Sequence, residues 1–558
     1  MRRLDCSMKN SLAIYGGHDS SVTFVDKNDR VRVVEIERYV KQRYAAFSSH
    51  HDNRSFGITE NKRIDFLNYL YDTISDPDKI ETILFMGLVP KDRDLIKKFF
   101  PNVTTWKKMN HHVSHAYCGH FQSGFDKTII FSIDGGGHDH GKVVTTKAFL
   151  GDKEEITELV ECKTDFGGGY TKIGEFISEI KKKHDDSLSW AGKIMGLCAY
   201  GKVREEWVEP MIKYYDLISK ETHDDIFSDR FIYHLKEMLP DINFVQDCLS
   251  GQDSYDIAAT SQFVFEKLLR EWIQPLVNEH KDRNVVLVGG CALNVLYNQE
   301  LSEYIFDITM NKLYVPPNPN DCGLSLGFFL EQHPELRKRD FVYDGIELLD
   351  KEDLELHITK RNAREVTTSE IVDIIKRGEI VGMVYGDSEI GPRALGNRSI
   401  ICDPSFDGMK DILNKKVKFR EWYRPFAPVC MLNESNTYFH KVFESHYMSF
   451  APKVKEEYHE KLKAITHIDE TSRLQTVSKV NGHKVFTEIL EELKSRNEIP
   501  VILNTSFNIR GFPILTTIED ALHVLDNTEL DHVVIEGYLY FVYNTAQPHS
   551  FYHQIDLV

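Results

Sequence analysis

Three buried strands that each end in glycines constrain the fold of this chain most strongly. They read LAIYGG (12–17), TIIFSIDGGG (128–137) and VVLVGG (285–290), and the last runs into the helical pattern CALNVLYN. A buried strand followed by glycines and then a helix is the layout in which α/β proteins bind phosphate groups. Because the three turns lie far apart in the sequence, they predict one large α/β domain with a composite cleft.

A second α/β unit is predicted after a change in composition. The stretch from about residue 330 to residue 368 is highly charged and poor in glycine, which indicates a connection, with the linker itself at 346–367. After it, IVDIIKRGEIVGMVYGD begins a new helix–strand pattern, and PVILN (500–504) indicates another buried strand. We therefore predict an N-terminal domain over residues 1–345 and a C-terminal domain over residues 368–558.

The charge balance limits the partners of the chain. It has 68 Lys and Arg against 86 Asp and Glu, a net charge of −18, which argues against bulk affinity for nucleic acid or anionic membranes but leaves room for a local basic site. No apolar run approaches the roughly 20 residues of a membrane span, and no apolar segment near the N-terminus indicates a signal peptide. Nine cysteines without a CxxC pair fit free thiols in a reducing compartment. We expect a cytoplasmic protein without a membrane partner.

Histidines at helical spacing form a candidate metal site. In NHHVSHAYCGH, His111 and His115 lie four residues apart and share one face of a helix, although a chain with 24 histidines also forms chance clusters. Asp134 ends a strand before three glycines, and Asp321 precedes a glycine in PPNPNDCGLSLG; an ordinary turn and a helix N-cap are the alternatives. Two His and two Asp would form a mixed site that suits iron, zinc or manganese.

Two further features near strand ends are weaker signals. Gly289 and Gly290 in VLVGGCALN would let the backbone approach a nucleotide closely. His18, in YGGHDSS after the first strand, is a candidate general base for a hydroxyl group, although a single histidine is more often structural.

The sign of the charge reverses in the C-terminal part. Residues 393–424 hold eight basic and four acidic side chains, a local balance of +4. This reversal, with the glycines of GPRALGNRS, predicts a pocket for a polyanion such as phosphates; a solvated charged face is the alternative. Arg424 stands in WYRPFAPV, which is too apolar for a simple surface stripe, and Arg473 and the strand end NTSFN would close such a pocket.

These patterns together resemble one enzyme family. The chain is similar to the O-carbamoyltransferases, which include the nodulation, tobramycin and cephem carbamoyltransferases, in an ordered series of motifs: GGHDSS, EIERY, NHHVSHA, SIDGGG, WAGKIMGLCAYG, VGGCALN, NPNDCGLSLG, GPRALGNRSI, VKFREWYRPFAP, RLQTV and LNTSFNIRG. The resemblance implies an actin-like, sugar-kinase-like N-terminal domain and a YrdC-like C-terminal domain. It also implies that the C-terminal domain makes carbamoyl adenylate from carbamoyl phosphate and ATP, and that the N-terminal domain transfers the carbamoyl group to an alcohol.

The resemblance assigns roles residue by residue. It implies catalytic roles for His18, Lys418 and Arg424, a metal site of His111, His115, Asp134 and Asp321, and contacts to nucleotide or substrate by Gly135, Gly136, Gly137, Lys193, Gly289, Gly290, Asn294, Arg393, Arg473, Asn504 and Ser506. It favours iron over zinc or manganese, with ATP as co-substrate together with Mg²⁺. Met448 falls at a family position beside the C-terminal pocket, with plain core as the alternative. The chain departs from the family pattern at Ile36, Arg43 and Phe512.

Rival functions share parts of this pattern. Threonylcarbamoyl transfer to tRNA uses both folds but requires a basic RNA surface, which the net charge of −18 disfavours. Hydrogenase-maturation carbamoyltransferases carry CxxC pairs, which are absent from this sequence, and a nucleotide-binding regulator without catalysis is a third alternative. The acceptor alcohol is open: a sugar, an aminoglycoside, a cephem, a macrolactam or a hydroxymethylated nucleotide, free or in DNA. The chain is rich in Lys, Ile, Asn and Asp, which indicates an AT-rich genome, unlike the GC-rich bacteria that make many antibiotics. This composition favours a sugar or a hydroxymethylated nucleotide over an aminoglycoside.

Overall fold

The structure, a computed structural model, describes residues 6–181, 187–220, 248–480 and 482–542. Its first sheet has five strands in the order β3-β2-β1-β4-β5. The strand β1 pairs antiparallel with β2 and parallel with β4. The strands are β1 (Ser11–Tyr15), β2 (Ser21–Val25), β3 (Val31–Glu35), β4 (Thr82–Met86) and β5 (Thr105–Lys108).

The second sheet repeats this arrangement. Its order is β8-β7-β6-β9-β10, with β6 antiparallel to β7 and parallel to β9. Two five-stranded sheets with the same order and the same strand directions agree with the actin-like fold that the resemblance implies. The strands are β6 (Lys127–Asp139), β7 (Lys142–Asp152), β8 (Glu155–Cys162), β9 (Asn284–Val288) and β10 (Leu313–Tyr314).

The third sheet belongs to the C-terminal part of the chain. It is mixed and eight-stranded, with the order β11-β18-β17-β12-β13-β16-β14-β15. Its strands are β11 (Arg364–Glu365), β12 (Val381–Val384), β13 (Arg398–Cys402), β14 (Ala427–Met431), β15 (Gln475–Val477), β16 (Val501–Ser506), β17 (His532–Ile535) and β18 (Tyr538–Phe541).

Helices cover these sheets, which confirms the predicted α/β class. The α-helices span Cys6–Lys9, Ile36–Val40, Glu60–Thr73, Pro90–Phe99, His111–Ser123, Phe166–Lys172, Trp190–Leu197, Glu205–Ile218, Gln252–Glu279, Val295–Thr309, Leu324–Gln332, Leu354–Arg361, Thr368–Lys376, Met409–Ile412, Ser435–Tyr438, Lys484–Ser495 and Ile518–Asn527, and a π-helical turn spans Leu413–Val417.

Sequence patterns explain the central strands. The strand β9 reads NVVLV, and its last four residues are fully buried, as expected for a strand with parallel neighbours in a covered sheet. The strand β12, VGMV, is buried along its whole length. The helix Thr368–Lys376 begins with a capping box in which Thr367 and Glu370 bond each other's backbone, so the predicted restart of regular structure at residue 368 has a local cause.

The glycine turns form as predicted after two of the three strands. The strand β9 stops before Gly289, whose φ is +89° and where a Cβ would lie 2.2 Å from the carbonyl oxygen of Ile133. The expected turn after Asp134 is wrong, because β6 continues through the three glycines to Asp139. Its register with β7 shifts between Ile133 and Gly137. Such a bulge bends a strand and redirects side chains, and here it accompanies the buried carboxylate of Asp134.

The segment between the two parts of the chain has structure of its own. It contains the helix Leu354–Arg361 and the strand β11, which pairs antiparallel with β18 of the third sheet.

Arg38 and Glu35 join the N-terminal and C-terminal parts of the chain directly. Arg38, 2% exposed, donates to the carbonyl oxygens of Glu389 and Gly391, and Glu35 accepts from the backbone N–H of Gly391. Buried hydrogen bonds therefore join the end of β3 and the helix Ile36–Val40 to the loop between β12 and β13.

Candidate active site

One helix places two histidines at the edge of the second sheet. The helix His111–Ser123 begins directly after the loop that follows β5, so His111 and His115 lie one turn apart. The buried carboxylate of Asp139 fixes this beginning, because its Oδ1 accepts the backbone N–H of His112 at 3.0 Å and its Oδ2 pairs with Lys147 at 3.2 Å. The predicted helical spacing of the histidines is thus present and anchored.

The two histidines meet the two predicted aspartates. His115 Nε2 lies 3.3 Å from Asp134 Oδ2 and 3.4 Å from Asp321 Oδ1, and the corresponding distances from His111 Nε2 are 3.8 and 3.6 Å. One potential ligand atom of each residue lies within 4.8 Å of the others. Among the described residues, neither histidine ring nor Asp321 Oδ1 has a hydrogen-bond partner, although all are buried. Buried polar atoms normally have partners, so this set of donors fits a metal cation.

The electrostatic environment of the cluster also favours a positive charge beside its two carboxylates. Burial alone would raise the pKa of Asp134, but His111 and His115 beside it hold that pKa well below the usual range. Burial would lower the pKa of His115, yet Asp134 and Asp321 raise it to about 9. Two imidazoles and two carboxylates suit iron, zinc and manganese alike, and the set does not select among them.

The predicted base, His18, lies at the open side of this cluster. Its Nε2 is 3.7 Å from Asp321 Oδ2, its Nδ1 is 3.0 Å from Asp19 Oδ2, and its side chain is 36% exposed. Burial would lower its pKa, but the bond to Asp19 and the charge of Asp321 raise the pKa to about 10. Since Asp321 is a predicted metal ligand, a bound cation would remove the part of this rise in pKa that comes from the charge of Asp321. Tyr15 was missed by sequence reasoning; its hydroxyl donates to Asp321 Oδ2 at 2.6 Å.

Glycines from separate segments surround Asp134. The backbone N–H groups of Gly135 and Gly290 donate to its two carboxylate oxygens at 2.6 and 2.9 Å. At Gly167 a Cβ would lie 2.6 Å from the nitrogen of Gly135, so the helix Phe166–Lys172 packs directly on the glycines of β6. The FGGGY sequence of that helix was the available signal for this third glycine segment, and the sequence analysis missed it.

Asn294 lies beside these glycines, in a network of side chains. Its Oδ1 accepts from the backbone of Tyr297 at 3.1 Å and from Gln262 Nε2 at 3.0 Å, so it caps the helix Val295–Thr309. Gln262 also accepts the hydroxyl of Tyr170 at 2.5 Å. The structure gives Asn294 a capping role, and its predicted contact with a nucleotide stays a prediction.

The cationic residues of the C-terminal part gather in a second pocket. Lys418 is 3% exposed, and its Nζ donates to the backbone carbonyl of Ser506, to Ser506 Oγ at 3.2 Å and to Asn508 Oδ1 at 2.6 Å. Burial lowers the pKa of Lys418 well below its usual range, and the neighbouring Arg420, Arg424 and Arg43 lower it further. Lys418 and Ser506, two of the predicted site residues, are therefore in contact.

Arginines crowd around this lysine with little compensating charge. Burial and then the charge of Arg424 lower the pKa of Arg393 to about 10. Burial and the other arginines also lower the pKa of Arg473, whose Nε is buried without a hydrogen-bond partner. Glu421 lies 3.8 Å from Arg424 but also pairs with Lys193. One buried and several half-buried cations that repel one another fit an anionic ligand rather than a structural salt bridge.

Three predicted contact residues have other partners here. Lys193 Nζ lies 3.1 Å from Glu421 Oε1, so this ion pair joins the N-terminal and C-terminal parts of the chain. Asn504 donates to the carbonyl of Ala394 and to Gln475. Met448 is 4% exposed and, with Arg393, lines a small depression in the protein surface. Their predicted contacts with substrate stay predictions.

The fold and the two pockets define a class: an α/β protein with duplicated five-stranded sheets that joins a His/Asp cluster to a buried cationic pocket. Family models match both parts of the chain, the Carbamoyltransferase N-terminus at residues 77–329 and the Carbamoyltransferase C-terminus at residues 372–541.

Curated relatives agree with these matches. Nodulation protein NolO of Bradyrhizobium diazoefficiens is 30% identical over 77% of this chain and 78% of its own length. Nodulation protein U of Sinorhizobium fredii is 30% identical over 81% of this chain and 80% of its own length. An uncharacterized protein of Methanocaldococcus jannaschii is 28% identical over 95% of this chain and 99% of its own length. The chain therefore belongs to the carbamoyltransferase family and is an enzyme that transfers a carbamoyl group.

Solved structures are more distant. Full-length HypF in a phosphate- and nucleotide-bound form is 13% identical, and the match covers 58% of this chain and 46% of the HypF chain, with a TM-score of 0.33.

No helix among the described residues combines the length and the apolar character needed to cross a membrane.

Proposed function

We propose that this enzyme makes carbamoyl adenylate from carbamoyl phosphate and ATP in the cationic pocket and transfers its carbamoyl group to an alcohol at the His/Asp cluster. The observation that carries the proposal is the group of half-buried arginines around the buried Lys418, whose charges lower one another's pKa. Two polyanionic substrates would compensate these charges. This proposal assigns adenylation to residues 368–558 and transfer to residues 1–345, with 346–367 as the linker.

The adenylation step needs charge neutralisation more than acid–base chemistry. A water molecule hydrolyses carbamoyl phosphate to carbamate and inorganic phosphate, a carbamate oxygen then attacks the α-phosphorus of ATP, and pyrophosphate leaves. Lys418 and Arg424 are the groups we assign to the developing phosphoryl charge, and Arg393 and Arg473 to the remaining phosphates. Mg²⁺ would accompany ATP.

The transfer step places the adenylate among the glycines beside Asp134. Gly135, Gly136, Gly137, Gly289 and Gly290 carry no side chains, so we assign to them the close approach of the backbone to the phosphate of the adenylate. A metal held by His111, His115, Asp134 and Asp321 would polarise an oxygen of the adenylate as a Lewis acid. His18, oriented by Asp19, would receive the proton of the acceptor hydroxyl as its oxygen attacks the carbamoyl carbon and AMP leaves.

The first experiment needs no acceptor. Purified protein with ATP, Mg²⁺ and carbamoyl phosphate should release pyrophosphate only when carbamoyl phosphate is present, and labelled carbamoyl phosphate should then label an added alcohol. Omission of carbamoyl phosphate is the control. Folded, metal-loaded protein that releases no pyrophosphate with or without an alcohol would refute the adenylate route.

A further inference from the structure

We infer that residues 48–57, here called the aromatic loop, form the subsite that binds the acceptor alcohol, and that this acceptor presents its hydroxyl on an uncharged ring with a face that can stack. The inference rests on the proposed function, because it adds the second substrate to the same site. It concerns residues that neither the mechanism above nor the sequence motifs use.

The side from which an acceptor can enter follows from burial. The side chains of His111, His115 and Asp321 are at most 4% exposed, whereas His18 is 36% exposed. The glycines that contact Asp134 belong to segments of the second sheet, where the proposed adenylate lies, whereas His18 follows β1 of the first sheet. A transfer reaction needs a separate approach for each substrate, so the acceptor should arrive past His18.

The aromatic loop is bonded to the turn that carries His18. The backbone N–H of Ser48 donates to the carbonyl of Gly16 at 2.9 Å. Immediately before the loop, the N–H of Phe47 donates to Ser20 Oγ at 2.8 Å. These bonds on both sides of His18 fix where the loop stands relative to that ring.

Three rings of the loop continue from His18. Phe56 meets the His18 ring edge-on, with centroids 6.3 Å apart and an interplanar angle of 79°. His51 lies 5.4 Å from Phe56, and His50 lies 5.1 Å from His51. Phe56 and His51 are only half-buried, and His50 is exposed. A row of partly exposed rings beside the proposed base is suited to bind another ring.

A buried arginine holds this loop in place. Arg63, 1% exposed, donates to both carboxylate oxygens of Asp52 at 2.8 and 3.1 Å and to the carbonyls of Phe47 and Ile58 at 3.2 and 2.8 Å. Arg63 thereby bonds Asp52 in the middle of the loop and the two residues that flank the loop. A binding surface that is ordered before its ligand arrives loses less entropy on binding. We therefore assign to the buried Arg63 the role of ordering the loop.

The chemistry of the loop limits the acceptor. Burial, and after it the charges of His50 and His18, lower the pKa of His51 to about 4, so its ring is neutral near pH 7. Neutral aromatic rings favour the C–H face of a sugar or the face of a nucleobase. Both ligands share the chemistry of an uncharged ring that can stack and that carries an outward hydroxyl, and separate probes distinguish them.

The test compares Phe56→Ala with wild type and with Asn53→Ala, a control at an exposed position of the same loop. The probes are methyl β-D-glucopyranoside, 5-hydroxymethyl-2′-deoxycytidine and, without a ring, ethylene glycol. We expect Phe56→Ala to raise KM about tenfold for the preferred ring probe, which is ~1.4 kcal/mol, with kcat within about twofold. Transfer to ethylene glycol and acceptor-free pyrophosphate release should not change, and Phe56→Trp should restore the KM.

Several results would overturn the inference. One is a wild-type enzyme that releases pyrophosphate but prefers ethylene glycol to both ring probes, or uses neither ring. Another is an equal loss of transfer to ring and non-ring probes in Phe56→Ala. Saturation-transfer NMR with the same probes measures ring binding without turnover, so the absence of pyrophosphate release would count against the proposed function alone. Equal NMR binding by wild type and Phe56→Ala would count against the aromatic loop.

Discussion

Arg393→Met should make the ligand-free protein more stable and the enzyme inactive in adenylation. Arg393 lies among like charges, and burial with Arg424 lowers its pKa from 12.5 to about 10. A lowered arginine pKa means that folding costs free energy at every pH below 10, so the full cost is present at pH 7. At 1.36 kcal/mol per pKa unit the cost is at most ~3 kcal/mol. Because the side chain keeps some solvent contact, we expect a gain of ~1–2 kcal/mol.

Thermal unfolding measures this gain. For a unit the size of the C-terminal part, 1 kcal/mol shifts Tm by about 2–4 °C, so Arg393→Met should unfold at least ~2 °C above wild type. ATP with carbamoyl phosphate should raise the Tm of wild type more than that of the variant. The variant should also lose carbamoyl phosphate-dependent pyrophosphate release. Methionine retains most of the apolar stem, so packing changes little.

The matched control is an arginine with a partner. Arg361 makes two hydrogen bonds to the carboxylate of Asp526, at 2.9 and 2.6 Å. Arg361→Met should therefore lower Tm and leave pyrophosphate release intact. If Arg393→Met also lowers Tm by several degrees, or if it releases pyrophosphate at the wild-type rate, the cations do not form a substrate pocket and the reasoning fails.

Three further predictions follow from the two pockets. His111→Ala should lose bound metal in elemental analysis and lower carbamoyl transfer at least ~100-fold while pyrophosphate release persists; full metal content would contradict the assigned ligands. Lys418→Ala should abolish pyrophosphate release but still transfer from supplied carbamoyl adenylate, and loss of both steps would reject the division of labour. Burial raises the pKa of Glu421, but Arg424 and Lys193 lower it to about 2, so its stabilisation is present above pH ~4.5 and is lost as pH falls toward 2. Glu421→Gln should reduce the change of the urea unfolding midpoint with pH across that window. An unchanged pH dependence of the midpoint would exclude this ion pair as its cause.

The sequence predicted those site residues whose spacing has a local physical cause. Four residues separate His111 from His115, which is one helical turn, and Asp134 stands where an apolar strand meets glycines. The reversal of charge around Lys418 indicated the cationic pocket without any knowledge of the fold. In each case short-range chemistry restricts which structures the segment can form.

Contacts between distant segments were beyond sequence reasoning. Tyr15 reads as an ordinary buried strand residue, and only the fold brings its hydroxyl to Asp321. Phe56 stands in a polar loop, and its position beside His18 depends on the buried Arg63. The strand β6 extends through its glycines because pairing with β7 outweighs their preference for a turn.

The contact of Arg38 and Glu35 with Gly391 has a consequence for how the chain can be divided. Arg38 and Glu35 form a buried ion pair in the N-terminal part, and both also bond backbone groups of the C-terminal part. A protease cut within residues 346–367 would therefore not release two free halves, since separation would leave the guanidinium without its two carbonyl acceptors and apolar surface in water. The nicked enzyme should remain one particle, and halves produced as separate polypeptides should each depend on the other to stay in solution.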